Sequence, residues 1–240
     1  MSPAVERDVA AVTLDLDDTL YPQADYLDGA WRAVARAAGL PLAASVRLHE
    51  ALVAIAAEGS DRGGIINRAL GAAGLDAALA PGLVSAFRQH APQRLWLYPG
   101  AREALAMLRA VVPVACITDG DPAVQRAKLS ALGLDEAFDA VVISDEHGRA
   151  HRKPDPLPFR LALDALGVQP GAAVHIGDRH GKDVVGAVGV GMRAIRVLTG
   201  EYAHLPHPRD GMDAWATCTD VVAATALVMK WLPERRAAHR

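Results

Sequence analysis

The sequence predicts an α/β fold: a parallel sheet core flanked by helices, with an all-helical cap inserted after the first strand. Three observations predict it. Short, nearly continuous apolar runs recur at residues 9–16, 113–118, 140–144, 172–177 and 193–198, as expected of strands buried on both faces. Helical patterns near 101–110, 122–132, 158–166, 181–189 and 221–231 alternate with the later runs, and that alternation builds a parallel sheet. Residues 21–98 break the alternation. They contain no convincing strand and are rich in Ala and Leu at helical spacing.

The elements follow in order. The first strand, 9–16, runs into the insert. There Trp31, Val34, Ala35 and Ala38, then Leu48, Leu52 and Ile55, repeat at helical intervals. Gly39, the GSDRGG at 59–64, the glycines at 71 and 74, and Pro81-Gly82 divide it into about four helices. This organisation predicts a catalytic core of residues 1–20 and 99–240 and a helical cap of 21–98. The hinges are expected at Leu20-Tyr21-Pro22 and Tyr98-Pro99-Gly100, where Pro and Gly break both elements. The polar, basic tail, 233–240, is expected to fray.

Composition bounds the function. Hydrophobic residues make up 51% and charged residues 22% of the 240, which argues for a globular core and against disorder. A net charge of −3 gives no electrostatic footprint for nucleic acid or an anionic membrane. No apolar run reaches the ~18–20 residues of a membrane span, and the acidic start has no signal-peptide core. Two distant cysteines, Cys116 and Cys218, form no CxxC and predict neither a disulfide framework nor a zinc site. A cytoplasmic location is expected.

The chemistry concentrates at predicted strand ends. Asp15-Leu16-Asp17-Asp18-Thr19-Leu20 places three carboxylates in four positions after an apolar strand. A structural reading makes them a solvated turn or a helix cap. A functional reading uses strand alternation to put Asp15 and Asp17 on one side, converging on a hard cation such as Mg²⁺. Thr118-Asp119-Gly120 offers a hydroxyl and a Gly-relaxed turn for an anion. Lys153-Pro154 precedes a helix, where ammonium and helix N-terminus both face negative charge. Gly177-Asp178 ends another strand, with Asp183 five residues on. Each segment alone reads as a turn; in this order they form one anion-plus-metal pocket.

In these motifs the chain resembles the haloacid dehalogenase-like hydrolase superfamily, in the branch with a helical cap after the first motif. The resemblance implies a Rossmann-like core and gives each residue a role. Asp15 is the nucleophile and Asp17 the general acid/base. Thr118, with the Asp119-Gly120 turn, and Lys153 bind the phosphoryl group. Asp15, Asp17, Asp178 and Asp183 form the Mg²⁺ site. Many relatives carry Asn where this chain has Asp119, so that side chain is expected to point away. Asp15 is expected ionised near its ordinary pKa of ~3.9. Asp17 is expected to be raised by its carboxylate neighbours, so that it can donate a proton.

The resemblance implies a Mg²⁺-dependent phosphatase acting on a small phosphorylated metabolite; a monomer or homodimer with no nucleic-acid or membrane partner is expected. The alternative is a phosphomutase on a sugar phosphate. A non-catalytic binding protein is disfavoured because all six motif residues are present. Asp17 counts against the metal-free dehalogenases. The four lysines, Lys128, Lys153, Lys182 and Lys230, leave none in the cap for Schiff-base chemistry. Lys182 is expected to face solvent, and His175 to be a strand residue rather than a ligand. Arg62, Arg68 and His180 are left open as site residues. The glycines at 186, 189 and 191 read as helix-end glycines, not a dinucleotide loop.

Overall fold

The computed structural model describes residues 9–59, 62–206 and 211–232. The 233–240 tail and the first eight residues of the predicted core lie outside them. Six parallel strands form one sheet: β1 (Ala11–Leu14), β2 (Val114–Thr118), β3 (Ala140–Ile143), β4 (Ala173–Gly177), β5 (Arg193–Val197) and β6 (Ala216–Cys218), in the order β3-β2-β1-β4-β5-β6. β1 is central, with Leu14 in register with Cys116 of β2 and Ile176 of β4. The order reverses beside β1, so a crevice opens at its carboxyl end.

Five strands fall where the apolar runs predict them. β6 is unpredicted: three residues, Ala216-Thr217-Cys218, are too short for a periodicity, and pairing with β5 makes them a strand. β1 is shorter than the 9–16 run, ending at Leu14, after which the chain turns and Asp17 bridges to Tyr21.

Period-two alternation splits the strands between two cores. Val114 and Cys116 join Val12, Leu14, Val174 and Ile176 on one face; Ala115 and Ile117 join Ala173 and Ala194 on the other. α5 (Ala101–Arg109), α6 (Pro122–Ala131) and α9 (Val221–Met229) cover the first face through residues such as Leu105, Leu108, Leu129 and Val228. α7 (Pro156–Leu166) and α8 (Val185–Gly189) cover the second through Phe159, Leu163 and Ala187. The helix starts follow local rules. Asp121 accepts from the Ala123 N–H and Asp155 from the Leu157 N–H, each with proline at the first helical position. Gly189 ends α8 and Gly191 takes φ +89° in the turn beyond it, as helix-end glycines do.

Between β1 and α5 lie α1 (Gln23–Ala37), α2 (Leu42–Ala56), α3 (Ile65–Ala72) and α4 (Ala80–Arg88). They pack around a cluster of their own, with Val34, Leu48, Leu52, Leu70 and Leu83 buried and Trp31 stacked on Phe87. The two crossings run side by side, the Tyr98 N–H donating to the Leu20 carbonyl at 2.9 Å. Asp18 ties them to the loop after β5. Its carboxylate accepts from the Gln23 and Glu201 N–H groups, at 2.9 and 3.2 Å. It holds φ +58°, a conformation that costs ~1–2 kcal/mol outside glycine. Gly200 is required there, because a Cβ would lie 2.1 Å from Asp18 Cγ.

Candidate active site

A cavity of about 270 Å³ opens at the carboxyl ends of β1, β2 and β4, and Tyr26, Leu27, Val84, Phe87 and Arg88 of α1 and α4 also line it. Asp15, Asp17, Asp119, Gly120, Lys153 and Asp178 line it. The strand register explains the convergence, since β1, β2 and β4 end within a residue or two of one another.

Lys153 is the hub. Its ammonium, 4% exposed, donates to Asp15 Oδ1 at 2.5 Å, Asp183 Oδ1 at 2.6 Å and the Ile117 carbonyl at 3.1 Å. Burial pulls its pKa down, but Asp15 and Asp183 outweigh that and hold it well above the ordinary lysine value. Asp183 accepts further from His175 Nε2 at 3.2 Å and the Arg179 N–H at 2.9 Å. Burial opposes its charge, yet Lys153 and His175 keep it below the usual carboxylate range. Asp15, expected near its ordinary pKa, is instead pushed up to about 7. Burial dominates, with Asp183 and Asp17 adding to it against the pull of Lys153. Asp178 is raised well above its ordinary value by burial, then by Asp183 and Asp15.

Asp15, Asp178 and Asp183 are the one group of three acidic, His or Cys side chains whose ligand atoms come within 4.8 Å of one another among the described residues. Both Asp178 carboxylate oxygens are buried without a hydrogen-bond partner. A buried carboxylate left bare is costly, and an all-oxygen donor set fits a hard divalent cation. The residues present therefore fit Mg²⁺.

Asp17 is the main correction. The sequence puts its side chain beside Asp15 on a shared cation, with a raised pKa. The strand ends at Leu14, alternation ends with it, and the Asp17 carboxylate turns to a different set of partners. Lys128 Nζ donates to both oxygens at 2.7 and 2.9 Å, Tyr21 to Oδ1 at 2.5 Å and Gln125 to Oδ2 at 2.9 Å. Burial pushes Asp17 up, but Lys128, Tyr21 and Gln125 together hold it below the usual carboxylate range.

The remaining predicted residues are placed as follows. Thr118 is fully buried, and its hydroxyl accepts from Gln125 Nε2 at 2.5 Å, which leaves the hydroxyl hydrogen to donate. Gly120 lines the cavity at φ +136°. Asp119 accepts from Ser144 Oγ and the Lys153 N–H, at 2.8 and 3.0 Å. Its other oxygen pairs with Lys182 at 3.1 Å. Lys182, within a π-helical turn at His180–Val184, thus lines the cavity and pairs with Asp119 rather than pointing to solvent. Arg62 and Arg68 do not line the cavity; both pair with Glu58. His180 is buried, and the cavity lining does not include it.

Sequence reasoning missed Lys128, Gln125, Tyr21 and Arg196. Lys128 carried a signal: Val124, Gln125, Lys128 and Leu129 form the buried stripe of α6, and a lysine on such a stripe needs a partner. Arg196 carried another, standing inside an apolar strand. Its buried guanidinium donates to the carbonyls of Asp178, Tyr202 and Leu205, at 3.1, 2.9 and 3.1 Å, and so braces the Asp178 turn. His175 is a strand residue as predicted, but also links Thr13 Oγ1, at 2.8 Å, to Asp183.

The chain is similar to known proteins in sequence and fold. A family model described as haloacid dehalogenase-like hydrolase matches residues 9–191. A glyceraldehyde 3-phosphate phosphatase of Methanopyrus kandleri is 35% identical over 85% of this chain and 90% of its own length. One of Pyrococcus furiosus is 42% identical over 45% of this chain, a match that spans 44% of that enzyme. Among solved structures, a 2-haloacid dehalogenase from Pseudomonas syringae pv. Tomato superposes with a TM-score of 0.63 at 26% identity, over 93% of this chain and 99% of that one.

Proposed function

The chain belongs to the haloacid dehalogenase-like hydrolases, and we propose that it is a Mg²⁺-dependent phosphatase that hydrolyses a small phosphorylated metabolite through an aspartyl-phosphate on Asp15. The observation that carries this reading is the pairing of two unlike carboxylates across one cavity. Asp15 shares Lys153 with a group of acids suited to a metal, and Asp17 stands apart with its own cation.

In the first step an Asp15 oxygen attacks phosphorus and the bond from phosphorus to the organic oxygen breaks. The alcohol leaves with a proton from Asp17. In the second step water attacks the aspartyl-phosphate at phosphorus and gives its proton to Asp17. The Asp15–phosphorus bond breaks and inorganic phosphate leaves. One hard displacement becomes two easier ones. Held ionised by Lys128, Asp17 is ready as the base of the second step. The negative phosphoryl group entering beside it raises its proton affinity for the first. Lys153 and the turn at Gly120 line the cavity and stabilise charge developing on the phosphoryl oxygens, whereas the Thr118 hydroxyl is fully buried and outside that lining. Asp15, Asp178 and Asp183 would hold Mg²⁺, which supplies Lewis-acid polarisation of the phosphoryl group.

In this reading residues 1–20 and 99–240 do the chemistry, while 21–98 act as a cap that selects the organic part of the substrate and excludes water. A cavity of about 270 Å³ suits a small metabolite. Two free cysteines support a cytoplasmic location, and the protein acts as a monomer or homodimer. The test is a panel of small phosphate esters, sugar phosphates included, assayed with Mg²⁺ for phosphate release. Turnover of at least one ester, lost in chelator, is expected. Metal-free halide release from 2-haloacids, with no phosphate released from any ester, would overturn the reading, as would isomerised sugar phosphate in place of free phosphate.

A further inference from the structure

Lys128 is 3% exposed. A buried ammonium carries a desolvation cost of several kcal/mol unless well paired, and an apolar residue on the stripe of α6 would pack there without it. The lysine nonetheless lies on the wall of the cavity, with both Asp17 oxygens in its grip. Tyr21 and Gln125 complete the set, so that the carboxylate receives four donor contacts and has little freedom to rotate. The ring of Tyr26 also packs against the ammonium, its centroid 4.6 Å from Nζ, a contact that attracts a cation to the ring face. Tyr26 belongs to α1, in the helical insert, whereas Lys128 and Asp17 belong to the sheet side.

We propose that Lys128 is a positioning residue that holds the Asp17 carboxylate turned away from the Asp15, Asp178 and Asp183 group, and that Tyr26 makes this orientation depend on the position of the cap. The inference rests on Asp17 being the acid–base group. A carboxylate free to rotate would be drawn towards a cation held by those acids and be lost as an acid for the leaving oxygen. The ion pair prevents that, and an open cap, by withdrawing Tyr26, loosens it.

The test compares two kinds of substrate. Departure of an alkoxide from an alkyl phosphate needs a proton, whereas p-nitrophenolate leaves readily without one, and kcat/KM reports the steps up to that departure. For Lys128→Ala we expect kcat/KM for the alkyl phosphate to fall about 100-fold or more, within the range of general-acid effects, and that for p-nitrophenyl phosphate to fall no more than about threefold. Added n-propylammonium, which restores the missing chain and charge, should recover part of the alkyl activity. Tyr26→Leu should show the same split at a smaller size. Lys128→Met, which keeps the volume, serves if the alanine variant does not fold. An equal loss on both substrates in a Lys128 variant or in Tyr26→Leu, or no rescue of a folded Lys128→Ala, overturns the proposal. Asp17→Asn separates this from the underlying reading. If it shows the split and Lys128→Ala does not, the positioning role alone fails. If Asp17→Asn leaves alkyl turnover intact, both fail.

Discussion

Asp15 and Asp17 stand two residues apart and live in opposite surroundings. On the Asp15 side, three buried carboxylates gather around one ammonium, Lys153, which pairs with Asp15 and Asp183 and leaves both oxygens of Asp178 without a partner. On the Asp17 side, one carboxylate has an ammonium to itself and two neutral donors besides. The first is short of positive charge and the second is saturated. In the proposed function, charge balance separates the roles: the deficient side would take a divalent cation and the phosphoryl group, and the saturated side would handle a single proton. Sequence spacing treats the two acids as equivalent; their partners make them different.

The sharpest way to break this comparison is to remove the Asp15 charge. Asp15→Asn should lower kcat by about a thousandfold or more while leaving thermal unfolding near that of the native protein, since an amide is nearly isosteric but a poor nucleophile. Activity within tenfold of the native protein would mean that Asp15 is not the attacking group.

The two lysines test the same contrast at the next scale. Lys153→Ala removes the hub of the deficient side and should cost roughly a hundredfold or more in kcat/KM. Lys182→Ala removes a partner of Asp119 that also lines the cavity, so a loss of about tenfold or less is expected, larger than for a solvent lysine. Equal losses would dissolve the distinction.

The smallest effect expected concerns pH and metal. Asp15 at about 7 and the raised Asp178 bind protons in the folded, metal-free protein that the unfolded chain has released above its ordinary value of ~3.9. The folded state then holds more protons, so this contribution to stability falls as pH rises from about 4 through 7. Asp17 and Asp183, being lowered, act in the opposite sense and below that window. Magnesium binding to the deprotonated acids reverses the loss at high pH. Melting curves in chelator and in Mg²⁺ should therefore differ by more at pH 8 than at pH 5, as bound ligand stabilises by mass action. A Mg²⁺ shift that is the same at both values would argue against the raised acids as its ligands.

Much of the site was readable before any tertiary contact was known, because the relevant information is local. An apolar run sets where a strand stops, so Asp15, Thr118 and Asp178 could be placed at strand ends from the sequence alone. Asp121-Pro122 and Asp155-Pro156 cap helices through hydrogen bonds to their own next turn. The helical insert was legible for the same reason, as an unbroken 3.6-residue periodicity punctuated by glycine and proline. What tertiary structure decided was which charges meet. Lys128 reaches Asp17 from 111 positions away, and Lys153 reaches Asp15 from 138. Arg196 braces the Asp178 turn, and His175 contacts Asp183 beyond the fourth strand, both from positions that read as strand interior. The direction of the Asp17 side chain was undetermined in the sequence because regular alternation stops at Leu14. Beyond a strand end, a side chain's direction is set by the turn and by whichever donors the folded chain brings to it. Those donors come from α6 and the first crossing, whose approach to β1 depends on how the layers pack rather than on any local periodicity.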